Sequence, residues 1–249
     1  MIGETLFRVG SLTVYTYGFF MMLAVLATSY VIYLLANKTQ TSKTVVFDLV
    51  IYTLLFGLLG ARIAYFVLYP AQFESFWQIF FIWQGGLVSW GGFIFGIAAA
   101  AIVLKIYKVN ILSWLDILAI SSLLGLSVGR FGSFLSGELA GLPHNGYLSI
   151  SGLHPVTLYE SLTLLILFFS WVIIFLKFRN KIIAGLCALG VLGSYSLARF
   201  LIDFWRQEND LWLSLSFGQL FAITILSLSV IVFMIYIISK KKGSENVVS

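Results

Sequence analysis

From Leu162 to Leu176 no residue carries a charge, and six other blocks along the chain are nearly as apolar. That pattern decides the class. The 249 residues are 60% hydrophobic and 10% charged, with a mean hydropathy of +1.01. A soluble domain carries about 25% charged residues. A surface of this composition cannot be kept in water, so the chain is an integral membrane protein. An outer-membrane barrel would alternate polar and apolar positions in runs of about ten. The unbroken blocks suit helices of roughly 20 residues crossing about 30 Å of hydrocarbon instead.

The sequence therefore predicts an all-α integral membrane protein of seven transmembrane helices, at about 15–36, 46–68, 87–104, 112–133, 156–176, 182–203 and 217–238. Residues 1–249 read as one polytopic domain with a short polar tail from 239 to 249. Lys38 and Lys43 follow the first span, Lys105 and Lys108 the third, Lys177, Arg179 and Lys181 the fifth, and Lys240, Lys241 and Lys242 the seventh. Those connections are read as cytoplasmic. The opposite connections hold Glu74, Glu138, Glu208 and Asp210, all three prolines, and Trp77, Trp83 and Trp212, which suit an interfacial belt. The expected topology is N-terminus outside, C-terminus cytoplasmic. The first span lacks the basic start and small-residue cleavage site of a signal peptide.

The net charge of +5 lies in short clusters between spans. That is a membrane-orientation pattern, and no nucleic-acid partner is expected. A single cysteine, Cys187, excludes an internal disulfide and reads as a packing residue. Two histidines, His144 and His154, do not make a histidine-built metal site, and neither metal nor cofactor is expected.

The stretch Gly129-Arg130-Phe131-Gly132-Ser133-Phe134-Leu135-Ser136-Gly137-Glu138-Leu139-Ala140-Gly141 brings charge to the end of a long apolar segment. Arg62, Arg130 and Arg199 each fall late in an even-numbered span, hence near the outer face. An arginine in hydrocarbon costs at least about 2.5 to 3.5 kcal/mol unless paired or hydrated. Three of them predict a polar anion site, and the guanidinium fork matches a lipid phosphate. For any one arginine the plainer reading is snorkelling or pairing with a nearby acid, above all for Arg206 beside Glu208 and Asp210.

Glu138, Glu160 and Asp203 accompany the arginines. Arg199 and Asp203, four apart, can pair on one helix face, and a carboxylate can equally orient an arginine or accept a proton. The glycines Gly85, Gly86, Gly91, Gly92, Gly129, Gly132, Gly137 and Gly141 admit two readings: close helix packing, or backbone opened toward a ligand. His154-Pro155 opens the fifth span, with Pro155 suiting a helix start. Tyr17 and Tyr195 are interior hydroxyls or buried tyrosines satisfying backbone groups.

Taken together and in order, Tyr17-Gly18, Gly60-Ala61-Arg62-Ile63-Ala64-Tyr65, Gly85-Gly86-Leu87, the stretch from Gly129 to Gly141, His154-Pro155-Val156-Thr157-Leu158-Tyr159-Glu160, Arg199 to Arg206 and Gly218-Gln219-Leu220 resemble the prolipoprotein diacylglyceryl transferases. Where that family's signature has two asparagines this chain has Ser133 and Ser136; Trp90 stands at a frequent histidine and Asp203 at a glutamate. The resemblance implies transfer of the diacylglyceryl group from phosphatidylglycerol to the lipobox cysteine thiol of a preprolipoprotein signal peptide, in the bacterial inner membrane at the outer leaflet. On this resemblance Arg130 is expected at the lipid phosphate, and Arg199, Glu138 and His154 in catalytic roles. Arg62, Tyr17, Ser133, Ser136, Gly137, Tyr195, Asp203 and Arg206 complete the expected substrate-binding set. Two other readings stay open: a non-catalytic member of the same fold, and a transporter of lipids or anionic solutes, which would also need buried arginines.

Overall fold

The computed structural model describes residues 3–10, 12–39, 42–81, 85–178, 181–207, 211–212 and 215–245. Among the described residues, seven helices are long and apolar enough to cross a membrane. They are α1 (Thr16–Lys38), α2 (Lys43–Leu68), α3 (Ser89–Ile106), α4 (Ile111–Ser136), α5 (Val156–Phe178), α6 (Leu186–Ile202) and α7 (Phe217–Glu245). The described residues also form two short antiparallel hairpins, β1 (Thr5–Val9) with β2 (Leu12–Tyr15) before α1 and β3 (Leu211–Trp212) with β4 (Leu215–Ser216) between α6 and α7. The all-α, seven-span architecture is the expected one.

The boundaries move where local chemistry overrides hydropathy. α6 starts later than its apolar run because Lys181 and Ile182 donate back to the Phe178 carbonyl and Gly185 takes a left-handed φ of 92°. α4 continues through Ser136, so Arg130 lies well inside a helix rather than at its end. α7 runs past the expected boundary at 238 as far as Glu245. Trp83, Arg179, Glu208, Asp210 and residues 246–249 lie outside the described residues.

The chain divides into two compact units, Val31–Trp114 and Met1–Tyr30 with Leu115–Ser249. In the first, α2 and α3 pack through glycine. A Cβ on Gly60 would lie 2.7 Å from the Gly91 carbonyl oxygen, and one on Gly91 would strike Gly60 and Ala64. Apolar side chains gain little by leaving lipid for one another, so close backbone approach supplies the association instead. Tyr107, just past α3, donates to Asp48 at 2.6 Å.

The second unit holds α4 to α7 and the first turns of α1. Gly125, Gly129 and Gly132 on α4 face Thr28, Met21 and Phe20 of α1. Between α4 and α5, Ser127 donates to the Ser161 carbonyl at 2.8 Å and Ser161 returns a bond to the Ser127 carbonyl at 2.9 Å. Gly190 on α6 leaves room for the Trp171 ring of α5, whose Nε1 donates to Ser194 at 3.0 Å. Asp116, buried in α4, accepts from the amides of Gly185 at 2.8 Å and Ala188 at 2.7 Å, satisfying orphan donors at the start of α6.

The connection after α4 completes the frame. Leu139 to Pro143 lies between the exit of α6 and the entry of α5. Leu142 donates to the Trp205 carbonyl at 2.8 Å, Gln207 to Ala140 at 3.1 Å, His154 to Leu142 at 3.0 Å and Val156 to Leu139 at 3.0 Å. Gly141 is required here, since a Cβ would collide with the His154 backbone. The ribbon thereby ties the Arg206 backbone and the start of α5 to one segment.

Asp116→Ala would leave two backbone N–H groups without their acceptor, at a cost of about 1 to 3 kcal/mol. A lowered unfolding midpoint in detergent is expected, and an unchanged midpoint would show that those amides find other partners.

Candidate active site

Glu160 lies one turn into α5, in the second unit, and its carboxylate is shared by three guanidinium groups. Arg130 Nε of α4 meets Oε2 at 3.0 Å. Arg199 Nη1 of α6 and Arg206 Nη2, just beyond α6, both meet Oε1. Asp203 backs the pair, with Oδ2 3.1 Å from Arg199 Nε and Oδ1 3.0 Å from Arg206 Nε. The i, i+4 pairing of Arg199 with Asp203 is the one expected from spacing. Arg206 reaches Glu160 and Asp203 in addition to that pattern.

Side-chain exposure grades the network: 0% for Asp203, 5% for Glu160, 11% for Arg206, 18% for Arg199 and 33% for Arg130. Arg130 is therefore the most accessible cation. Only its Nε is engaged among the described contacts, which leaves the Nη donors for a ligand. A small open crevice adjoins this group, lined by Arg130, Glu160, Arg199 and Tyr195, with Leu164 and Leu167 on its apolar wall. The Ser127–Ser161 pair sits one turn before Arg130 and next to Glu160, holding α4 and α5 in register there.

Other expected residues fall elsewhere. The Glu138 side chain is exposed, and no hydrogen bond or ion pair to its carboxylate occurs among the described residues. Its backbone is the structural element: the N–H donates to Ser133 at 3.0 Å and the carbonyl accepts from Thr157 at 2.6 Å. Gly137, at φ 104°, turns the chain, and its N–H donates to Phe134 at 3.2 Å. Those two amides are spent within the chain rather than offered to an anion. Ser133 is buried, and the Ser136 hydroxyl donates back to the Ser133 carbonyl at 2.8 Å. Tyr17 is exposed near the start of α1.

Arg62 belongs to the first unit and is buried there. It donates to the carbonyls of Gly85, Gly86 and Gln78 and lies 4.8 Å from the Phe73 ring centroid. Gly85 and Gly86 adopt left-handed φ of 79° and 71°, turning both carbonyls onto this one cation. These partners are those of a loop-holding residue.

The model of one protein family, the prolipoprotein diacylglyceryl transferases, matches residues 4–236. The chain belongs to that family. Relatives named phosphatidylglycerol–prolipoprotein diacylglyceryl transferase include a Staphylococcus aureus protein, 31% identical over 92% of this chain and 87% of its own length. One from Prochlorococcus marinus is 30% identical over 83% of this chain and 80% of its own. Another, from Clostridium perfringens and named transferase 1, is 27% identical over 97% of both chains.

In this transferase-family chain the Glu160 network is the feature that sequence reading underweighted. Glu160 is visible as an acid at the start of a span, which is the available signal for a buried functional carboxylate. Its three partners are distant in sequence and follow no helical spacing. Trp90, at the position of a frequent family histidine, is exposed beside Phe93.

His154 anchors an aromatic group at the same loop. Its ring stacks on His144 with centroids 4.0 Å apart and an interplanar angle of 14°, its Nδ1 lies 3.3 Å from the Tyr159 hydroxyl, and Trp205 packs alongside. Burial, and then His144, hold the His154 imidazole below its ordinary value. The folded state thus binds the proton less well than the unfolded chain. The neutral stack's contribution is complete above the ordinary imidazole value and declines as pH falls through the lower folded value. In an NMR titration His154 is expected to titrate below about 6.5. His144→Gln should move it upward; titration at or above the ordinary value in the unaltered protein would contradict this account.

Proposed function

We infer that this chain transfers the diacylglyceryl group of phosphatidylglycerol to a cysteine thiol of a prolipoprotein and releases glycerol phosphate, the first step of bacterial lipoprotein maturation. The observation that carries the reading is the trio of guanidinium groups on one buried carboxylate, facing a crevice in a chain of this family. The acceptor is the lipobox cysteine, and the setting is the inner membrane with the site toward the outer leaflet. In support, Glu160 lies at one end of α5 and Lys177 at the other, and lysine-rich ends favour the cytoplasm.

Arg130 takes the lipid phosphate. It is the most exposed of the three arginines, and its fork suits two phosphate oxygens. The cysteine sulfur forms a bond to the glycerol carbon while the bond from that carbon to the phosphate oxygen breaks. Negative charge grows on the departing phosphate, and Arg199, beside Arg130 in the crevice wall, stabilises it. A thiol of pKa near 8.5 ionises more readily among cations. His154, in the loop that leads into α5 with its Nδ1 beside the Tyr159 hydroxyl, is the proposed acceptor of the thiol proton.

Glu160 and Asp203 are positioning residues. Each takes nitrogen donors of the arginines and fixes the direction of those left over, so the donors stand in place before charge develops. Tyr195 lines the same crevice, and Glu138 is exposed in the loop that follows α4.

Arg130→Lys keeps the charge and loses the fork. Release of glycerol phosphate from phosphatidylglycerol, dependent on a thiol-bearing lipobox peptide, is expected to slow by roughly 10²-fold to 10³-fold. Undiminished transfer in that variant would remove Arg130 from the phosphate.

A further inference from the structure

The side chains facing the crevice have a net charge that separates the two phosphates of the reaction. Two guanidinium groups, Arg130 and Arg199, and one carboxylate, Glu160, line it. Two positive charges less one negative leave one positive charge on the crevice wall. Behind this wall Arg206 and Asp203 pair with one another. The remaining lining is largely apolar, including Leu126, Leu164 and Leu167, so it offers the excess charge few other polar partners.

We propose that the crevice is charge-matched to a monoanionic phosphodiester, and that Glu160, by holding the wall at a net single positive charge, makes the site reject the dianionic phosphomonoester product. This rests on the transfer reaction inferred above. A phosphodiester brings one negative charge and cancels the wall's excess. A dianion exchanges a net positive site for a net negative one, so it gains no such relief while giving up a stronger hydration shell. A phosphomonoester loses its second proton near pH 6, which makes it a dianion under ordinary conditions.

The reaction creates that dianion in place. A thiolate and a diester, each with one negative charge, become a neutral thioether and a monoester with two. The new bond joins sulfur to carbon, the electron pair of the broken carbon–oxygen bond stays on the phosphate, and the thiol proton has already gone to its acceptor. Product therefore forms in a site mismatched to hold it, which favours its departure and opposes its return. Glu160 thus sets specificity through charge as well as orienting the arginines.

Calorimetric titration of the purified protein with glycerophosphoglycerol, a diester, and with glycerol phosphate, a monoester, tests the idea without turnover. The titratable groups lining the crevice are Arg130, Arg199, Glu160 and Tyr195. At pH 8 the unaltered protein is expected to hold the diester tighter by about tenfold or more. The gap should close at pH 5.5, below the second phosphate pKa of about 6. Glu160→Gln and, independently, Thr163→Lys raise the wall charge and should reverse the order at pH 8; Glu160→Asp should keep it. If Glu160→Gln fails to fold, Thr163→Lys and the pH comparison decide. Equal or tighter monoester binding at pH 8, binding of neither anion, or an unchanged order in the folded charge-raising variants would overturn the proposal. A transfer assay on the same preparation separates the two readings: absent transfer sinks the inferred reaction, whereas transfer with the wrong anion preference sinks charge matching alone.

Discussion

A carboxylate buried in a membrane-spanning helix has to be compensated, and the way Glu160 is compensated organises the second unit. Its two oxygens draw in guanidinium groups from α4, from α6 and from the turn after α6. Removing one partner of such a group leaves an uncompensated charge, costlier than the pair is favourable. The helices are therefore held by a mutual requirement rather than by apolar contact, which contributes little between helices in lipid. The interaction that stabilises the arrangement is also the one that presents Arg130 and Arg199 to the crevice.

Precision comes from the neutral groups around the charges. Ser127 and Ser161 lock α4 to α5 beside Arg130 and Glu160. The ribbon from Leu139 to Pro143 joins the exit of α6 to the entry of α5, and Asp116 fixes the far end of α6. Glycines at 125, 129 and 132 bring α1 against α4, so the signature glycines within α4 serve packing. Those at 137 and 141 serve the chain reversal that follows, one through its φ and the other through the space it leaves.

Much of this was legible in the sequence, for identifiable reasons. Seven apolar blocks were readable because a span must be continuous, and Arg199 with Asp203 because helical spacing is local. The partners of Glu160 were not readable, since no short-range rule links residues on three different helices. Glu138 drew attention through its closeness in sequence to Arg130. The helix instead runs on to Ser136, Gly137 turns the chain, and the Glu138 carboxylate emerges exposed. Arg62 resembled the other arginines in position, yet its surroundings are carbonyls of its own loop. Hydropathy reported depth in each case, and only tertiary structure reported the partner.

The reciprocal serine bond carries a consequence for how this sequence can drift. Each hydroxyl donates to the carbonyl of the other residue, so a change at one position removes one of the two bonds and leaves the other in place. The clasp can therefore be lost by halves, and a single substitution still leaves α4 joined to α5 beside Arg130 and Glu160.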